Sequence, residues 1–186
     1  MKTKFILAVS LLAFALVVPN LSAQEKKARA KGGSAVTQAL AVMHPTKGSK
    51  TKGTVQFTQD GRAVKVKAVI EGLNPNQKHA IHIHEFGDTS AEDGMATGGH
   101  YNPEGHQHGL TDKEMRHAGD LGNLQADAAG KATYEITVNN VTISGRNAIL
   151  GRAVIIHAKE DDGGQPVGNA GARIAQGTIG VAKPAQ

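Results

Sequence analysis

Short segments with alternating apolar and polar residues recur along most of the chain. Seven of them, separated by Gly, Asn and Asp residues, read AVTQALAVM, GTVQFTQ, AVKVKAVIEGL, HAIHIHE, KATYEITV, AVIIHAK and GARIAQGTIGVA. A period of two is typical of β-strands that bury one face, and no long segment has helical periodicity. Asp60-Gly61, within QDGRA, indicates a hairpin between the second and third segments. The pattern predicts an all-β fold, an antiparallel sandwich or barrel.

Residues 85–129 interrupt this pattern. They are rich in Gly, Asp, His and Asn and contain few apolar residues, where an ordinary β-domain has a short turn. Such a segment is either functional or disordered, and ordering it without a core requires another source of free energy. A bound metal ion is one such source.

The N-terminal segment has the features of a secretory signal peptide. Two lysines precede an apolar run from Phe5 to Val18, and a small-residue cleavage site ends at Ala23. The run is short for a membrane span, and a polar chain follows it. We therefore expect residues 1–23 to be removed, no membrane span to remain, and the protein to be exported to the periplasm or the extracellular space. A retained anchor is the alternative.

Composition limits the number of domains and the classes of protein to which the chain could belong. Cleavage after Ala23 leaves 163 residues, enough for one domain, which we place at residues 35–186 after a flexible basic arm at residues 24–34. The remaining 19 basic and 16 acidic residues give a net charge of +3, and aromatic residues are only 3% of the chain. Neither value indicates a nucleic-acid binder. The chain has no cysteine, so an exported protein would lack disulfides.

Histidines carry the candidate chemistry. In an extended strand His82 and His84 project to one face, and Ile81 and Ile83 to the other. For one isolated His-x-His, a half-buried edge strand with solvated histidines is the simpler interpretation, so other histidines must decide. In AVIIHAK, however, His157 shares a face with Ile155, so it reaches the same side of the sheet as the first pair if the two strands are neighbours.

The long segment adds His100, His108, His117 and Asp120. Four imidazoles favour Cu(II), and three imidazoles with a carboxylate favour structural Zn(II). Two complete sites need one more donor than these residues supply, so both sites require His100. An imidazolate that uses both ring nitrogens could serve the two sites.

Six segments carry a close resemblance to a known family. HIHEFGD, GGHYNP, HGL, RHAGDLGN, VIIHAKEDD and GNAGARIAQG resemble, in order and in spacing, the signature segments of the copper/zinc superoxide dismutases. The resemblance covers most of residues 35–181. It implies a Greek-key β-barrel with long metal-binding and active-site loops, and the conversion of superoxide to dioxygen and hydrogen peroxide by alternating reduction and reoxidation of copper.

The resemblance also implies the role of individual residues. His100 would bridge the metals and carry a proton, Arg173 would hold the superoxide anion, and Asp161 would link a copper histidine to a zinc histidine. The implied metal ligands are His82, His84, His100 and His157 for copper (Cu²⁺/Cu⁺), and His100, His108, His117 and Asp120 for zinc (Zn²⁺).

The chain departs from the family in two places. The family's intrasubunit disulfide is absent, and its positions correspond to Gly94, uncertain by one residue, and Gln176. We therefore expect a replaced anchor and a metal-binding loop that depends more on zinc. The connection from His157 to Arg173 is also short, which puts the usual substrate-steering charges in doubt and leaves Lys159 and the net positive charge as weak substitutes.

Several alternatives are also consistent with the sequence. We expect His44 and His79 to be ordinary surface or strand residues, whereas His106 is an alternative zinc ligand. Asp161 could belong to a solvated acidic run, and Arg173 could be only a loop anchor. A non-enzymatic copper or zinc carrier and a zinc hydrolase are the alternative functions, and both a monomer and a homodimer fit the chain.

Overall fold

The computed structural model describes residues 36–183 and contains eight β-strands. They are β1 (Gln38–Pro45), β2 (Lys52–Asp60), β3 (Ala63–Glu71), β4 (Lys78–His84), β5 (Asp120–Gln125), β6 (Ala132–Val138), β7 (Ala153–His157) and β8 (Arg173–Val181). A 3₁₀ turn at Met95–Thr97 is the one helical element among the described residues, and no helix there is long and apolar enough to cross a membrane. The predicted signal peptide and basic arm lie outside the described residues.

All strand pairs are antiparallel and form a nearly closed barrel. The sheet order is β5-β4-β7-β8-β1-β2-β3-β6, so β5 and β6 are its two ends. Tyr134 of β6 donates a hydrogen bond from its hydroxyl to the carbonyl of Leu121 in β5 across 2.6 Å. This contact brings the two ends together, and closure protects the edge strands. The predicted all-β Greek-key barrel is confirmed.

Alternation along the strands builds the core. In β3, Val64 and Val66 are buried, whereas Lys65 and Lys67 lie outside and pair with acidic residues on neighbouring strands. Each of the seven segments predicted from the sequence overlaps one of these strands. The hairpin is also confirmed, because Asp60 pairs with Ala63 across a two-residue turn. The largest fully buried side chains are Phe57, Met43, Ile70, Ile81, Ile83, Leu121, Leu124, Ile143, Ile149, Ile155, Ile156 and Ile179.

Strands β4 and β7 carry the histidines and lie side by side. Ile81 pairs with Ile156, and His82 pairs with Ile155. Ile81 and Ile156 belong to the barrel core, so His82 projects from the opposite, outer face of the sheet. The two strands are neighbours, so the condition under which His157 shares a face with His82 and His84 is met.

The long segment at residues 85–129 contains a strand that sequence analysis missed. Strand β5 buries Leu121 and Leu124 in the core and pairs with β4, with a register shift between Ala80 and His82. Its sequence, DLGNLQ, has two leucines three residues apart, so the period-two signal is lost. Residues 85–119, which precede β5, form the loops that cover the histidine face of the barrel.

Candidate metal centre

Four histidines converge outside the barrel wall. His82 and His84 come from β4, His157 comes from the end of β7, and His100 comes from the covering loop, where it forms a β-bridge with His84. One ring nitrogen of each lies within 4.8 Å of those of the other three. All four residues are buried, so the solvated edge-strand interpretation of His82 and His84 is wrong.

Three of these rings use one nitrogen for a hydrogen bond to the protein. His82 Nε2 donates to Asp161 Oδ2 (2.9 Å), His84 Nδ1 to the Gly98 carbonyl (2.9 Å) and His157 Nδ1 to the Gly171 carbonyl (3.2 Å). These bonds fix the tautomer and leave a lone pair on the other nitrogen. The other nitrogens, His82 Nδ1, His84 Nε2 and His157 Nε2, are buried and have no hydrogen-bond partner among the described residues.

Burial keeps these three rings neutral. It lowers the pKa of His82 to about 4, that of His84 to about 2 and that of His157 to about 3. Metal ions bind neutral imidazole, so the three nitrogens can act as ligands at neutral pH without losing a proton. Buried, unpaired lone pairs directed at one point fit a metal ion.

A second group joins His100 to His108, His117 and Asp120, again with ligand atoms within 4.8 Å. His100 Nδ1 donates to Asp120 Oδ1 across 2.8 Å. His108 Nδ1 lies 3.0 Å from Asp120 Oδ2, without the alignment of a hydrogen bond, and His117 Nδ1 lies 3.4 Å from His100 Nδ1. Three imidazoles and one carboxylate therefore meet at a site that suits tetrahedral zinc.

Asp120 is placed in this group by the start of β5. Its carboxylate is fully buried and accepts hydrogen bonds from the backbone amides of Gly109 and His117, each 3.1 Å long. Burial alone raises its pKa, but hydrogen bonds from His100 and Gly109 and the nearby His108 outweigh that effect and hold the pKa well below its usual range. Asp120 thus supplies one fixed negative charge to the group.

Asp161 links the two groups through hydrogen bonds to one histidine of each. Its Oδ1 accepts a hydrogen bond from His108 Nε2 (2.8 Å), while its Oδ2 accepts from His82. Asn123 of β5 fixes the Asp161 backbone through two hydrogen bonds of 2.7 and 2.9 Å. Asp161 is buried whereas Glu160 is exposed, so Asp161 is not part of a solvated acidic run.

Arg173 lies at the start of β8 and has two kinds of contact. Its Nη1 donates to the Gly94 carbonyl (2.7 Å) and the Thr97 hydroxyl (2.8 Å), and its Nη2 donates to the Gly98 carbonyl (2.7 Å). It also lines a cavity of about 450 Å³ together with His84, His100 and His157. Arg173 is therefore a loop anchor that also faces the first histidine group.

Lysine positions around the cavity differ from the sequence-based expectation. Lys47, from the β1–β2 turn, lines the cavity, and its ammonium group lies 3.2 Å from Glu92. Lys159 lines a separate surface depression with Lys78. The sequence carries no signal for Lys47, because this residue is distant in sequence from every histidine of the site.

The remaining histidines lie outside both groups. His44 is exposed, as expected. His106 Nδ1 donates to the Arg116 carbonyl across 3.2 Å and is not in the second group. His79 is fully buried: its Nδ1 donates to the His157 carbonyl (2.9 Å) and its Nε2 accepts from the Asn74 amide (3.2 Å). His79 lies two residues before Ile81 in β4, so the two side chains share a face of the strand. This spacing was the available signal that His79 faces inward.

Comparisons with known proteins agree with this geometry. The family model described as copper/zinc superoxide dismutase (SODC) matches residues 51–179. A protein named superoxide dismutase [Cu-Zn] from Paramecium bursaria Chlorella virus 1 is 44% identical over 140 residues, which are 71% of this chain and 74% of that protein. The crystal structure of a protein described as the clock protein EA4 has a TM-score of 0.74 and 36% identity, and the match covers 81% of this chain and 98% of that one. The chain belongs to the copper/zinc superoxide dismutase family.

Proposed function

We propose that the two side-chain groups form a bridged copper/zinc centre that dismutates superoxide. Membership of the family gives the reaction, which converts superoxide to dioxygen and hydrogen peroxide, and it gives the two metals. The residue assignment is our proposal: His82, His84, His100 and His157 hold copper, and His100, His108, His117 and Asp120 hold zinc. The observation that carries it is the set of three buried, unpaired nitrogens on His82, His84 and His157.

Copper, when bound, supplies the one-electron chemistry, because it alternates between Cu²⁺ and Cu⁺. Arg173 supplies binding and orientation. Its guanidinium is held by three oxygens of the covering loop, so it is preorganised beside the histidines, and it offers charge-assisted hydrogen bonds to a small anion. A fixed positive charge in a cavity also raises the local concentration of an anionic substrate.

His100 is the proposed proton carrier. Its Nδ1 faces Asp120 and His117 and would be the atom used in the zinc group, so Nε2 would be the atom that holds the proton destined for the reduced substrate. Shared membership of both groups gives this one ring two roles, as a ligand and as a proton donor. The proton comes from solvent through the cavity that His100 lines.

Zinc has an ordering role in this proposal. The second group offers four protein donors, which fill a tetrahedral site and leave no position for a reactive water. A zinc hydrolase is therefore not favoured. A metal carrier without turnover is not favoured either, because transport of a metal ion does not require a cationic side chain such as Arg173 directed at the cavity.

We further propose that the protein acts after export, in the periplasm, because its N-terminal segment has the features of a secretory signal peptide. Residues 1–23 have the composition of a cleaved signal peptide, and residues 24–34, which are rich in basic residues, precede the domain that we propose for residues 35–186. Mass spectrometry of the protein from periplasmic and culture fractions tests the cleavage site and the compartment. Light scattering on the mature protein distinguishes a monomer from a homodimer.

The decisive experiment measures superoxide consumption and metal content on the same sample of mature protein. We expect rapid turnover at about one copper and one zinc per chain, and loss of copper and of turnover in His157→Ala. His44→Ala is the matched control, because His44 is an exposed histidine outside both groups. Full metal occupancy without turnover would replace this proposal with the metal carrier.

A further inference from the structure

Strand β8 holds the covering loop through a series of side-chain hydrogen bonds. We refer to residues 86–99 as the 86–99 loop. Three side chains of β8, those of Thr178, Gln176 and Arg173, donate hydrogen bonds to backbone carbonyls of this loop. The loop runs antiparallel to β8, so the donor nearest the end of β8 contacts the start of the loop. The acceptors are Gly87 for Thr178, Thr89 and Ala91 for Gln176, and Gly94 and Gly98 for Arg173.

Gln176 provides the central contact of this series. Its Nε2 donates one hydrogen bond to the Thr89 carbonyl (3.3 Å) and one to the Ala91 carbonyl (3.0 Å), so both amide hydrogens are used. Gln176 is 6% exposed, whereas Thr178 is exposed and Arg173 is half-buried. Water cannot easily replace a buried donor, so the loop depends most on Gln176 at this point.

A short path connects Gln176 to Arg173 through the loop backbone. The Ala91 carbonyl that accepts from Gln176 also accepts from the Gly94 amide across 3.0 Å. The Gly94 carbonyl in turn accepts from Arg173 Nη1 across 2.7 Å. A shift of the loop at Ala91 therefore moves one of the oxygens that orient the guanidinium.

No covalent link can share this task, because the chain has no cysteine. The Lys47 amide gives one further bond to the Glu92 carbonyl (2.7 Å), but it comes from the β1–β2 turn and not from β8. Among the described residues of β8, Gln176 is the one that holds the middle of the 86–99 loop, at Thr89 and Ala91, to the barrel wall. A hydrogen-bonded anchor of this kind does not change with the thiol redox state of its surroundings.

We propose that Gln176 is a positioning residue for Arg173. Its carboxamide fixes the 86–99 loop on β8, and the loop carbonyls then keep the guanidinium directed at the cavity. The effect on anion binding rests on the proposed function, whereas the effect on the loop does not.

The test compares Gln176→Met with Gln56→Met, both loaded with copper and zinc. Methionine keeps the length of the side chain and removes the donors, and Gln56 is an exposed glutamine on the outer face of β2. Gln176→Glu is a second, nearly isosteric variant in case the first does not fold. Amide hydrogen exchange of the 86–99 loop and the affinity for azide, a small anion, are measured at equal metal content.

We expect both Gln176 variants to exchange the loop amides about tenfold faster or more, because the anchoring hydrogen bonds are lost. We expect their azide affinity to fall about threefold or more, and Gln56→Met to match the wild type. Faster exchange with unchanged azide affinity would reduce Gln176 to a structural residue and overturn the proposal. Unchanged exchange would overturn the anchor itself. A wild-type protein without dismutation that still shows the exchange difference would refute the proposed function and not the anchor.

Discussion

The Asp161 carboxylate accepts a hydrogen bond from Nε2 of His82 across 2.9 Å. Its other oxygen accepts from Nε2 of His108, so a single buried residue orients one ring of each metal group. With Nε2 occupied on both rings, Nδ1 is the atom left to each site. The Asp161 side chain therefore fixes the tautomer of one histidine in each of the two groups.

Replacing Asp161 with Asn should weaken both metal sites. A carboxamide can accept from only one of the two rings and presents an NH₂ group to the other, so one tautomer is no longer fixed. We expect affinities for copper and zinc to fall about 10–100-fold. Competition against chromophoric chelators measures this, and Asp162→Asn is the control, because Asp162 is exposed and bonds to Asn169. Equal affinities in both variants would contradict the role of Asp161.

Replacing Arg173 with Glu should slow superoxide consumption and leave the metals bound. The guanidinium contacts loop oxygens and the cavity but is not a member of either ligand group. Loss of the positive charge and of its hydrogen bonds should lower the rate constant about tenfold or more. The wild-type rate constant should fall as salt is added, whereas that of the variant should not. Arg62→Glu changes the net charge equally at an exposed hairpin turn and serves as the control. Identical rates for the two variants at all salt concentrations would exclude Arg173.

Period-two alternation was enough to predict an antiparallel sandwich or barrel and the common face of His82, His84 and His157, whereas the Greek-key barrel was implied by the family resemblance. That inference needs only the geometry of a strand and a neighbouring position for β4 and β7. Family, reaction and cofactors were predicted from the signature segments and are confirmed. Strand β5 was missed because Asp120, Gly122 and Asn123 have low strand propensity and are held there by pairing with β4.

Other parts of the site could not be predicted, because they depend on contacts distant in sequence. The carbonyls of Gly98 and Gly171 orient His84 and His157, and any residue type offers a carbonyl. Lys47 reaches the cavity only because the β1–β2 turn lies beside the 86–99 loop. Gln176 was recognised as the position of a missing cysteine. Its two hydrogen bonds could not be predicted, because they depend on where the loop backbone places the carbonyls of Thr89 and Ala91.

Removing zinc should loosen residues 100–120 selectively. Tyr101 and Ala118 are the buried apolar residues of this segment before β5, so few apolar contacts hold it, and without the metal three histidines crowd around Asp120. We expect amides in this range to exchange about tenfold faster or more in zinc-free protein, and those of β1–β3 to be unchanged. Hydrogen exchange with mass spectrometry on the two forms measures the difference. Equal protection of residues 100–120 would show that zinc is not needed to order the loop.

Zinc binding should release a proton from His108. Burial alone lowers the pKa of His108, but Asp120 and Asp161 outweigh that effect and raise it to about 9. The folded, metal-free protein therefore carries a protonated His108 at pH 7, which stabilises the fold fully below its unfolded pKa of about 6.5 and progressively less as the pH rises through 9. Zinc requires the neutral ring, so binding should release about one proton at pH 7 and about half of one at pH 9.

Calorimetric titration of zinc in buffers with different ionisation enthalpies counts these protons. Burial lowers the pKa of His117, so that ring is neutral at pH 7 and adds none. In Asp161→Asn the His108 ring loses a negative neighbour, so its pKa should fall and fewer protons should be released at pH 7. Zero release from the wild type at pH 7 would mean that His108 is already neutral, and that Asp161 acts through ring orientation and not through charge.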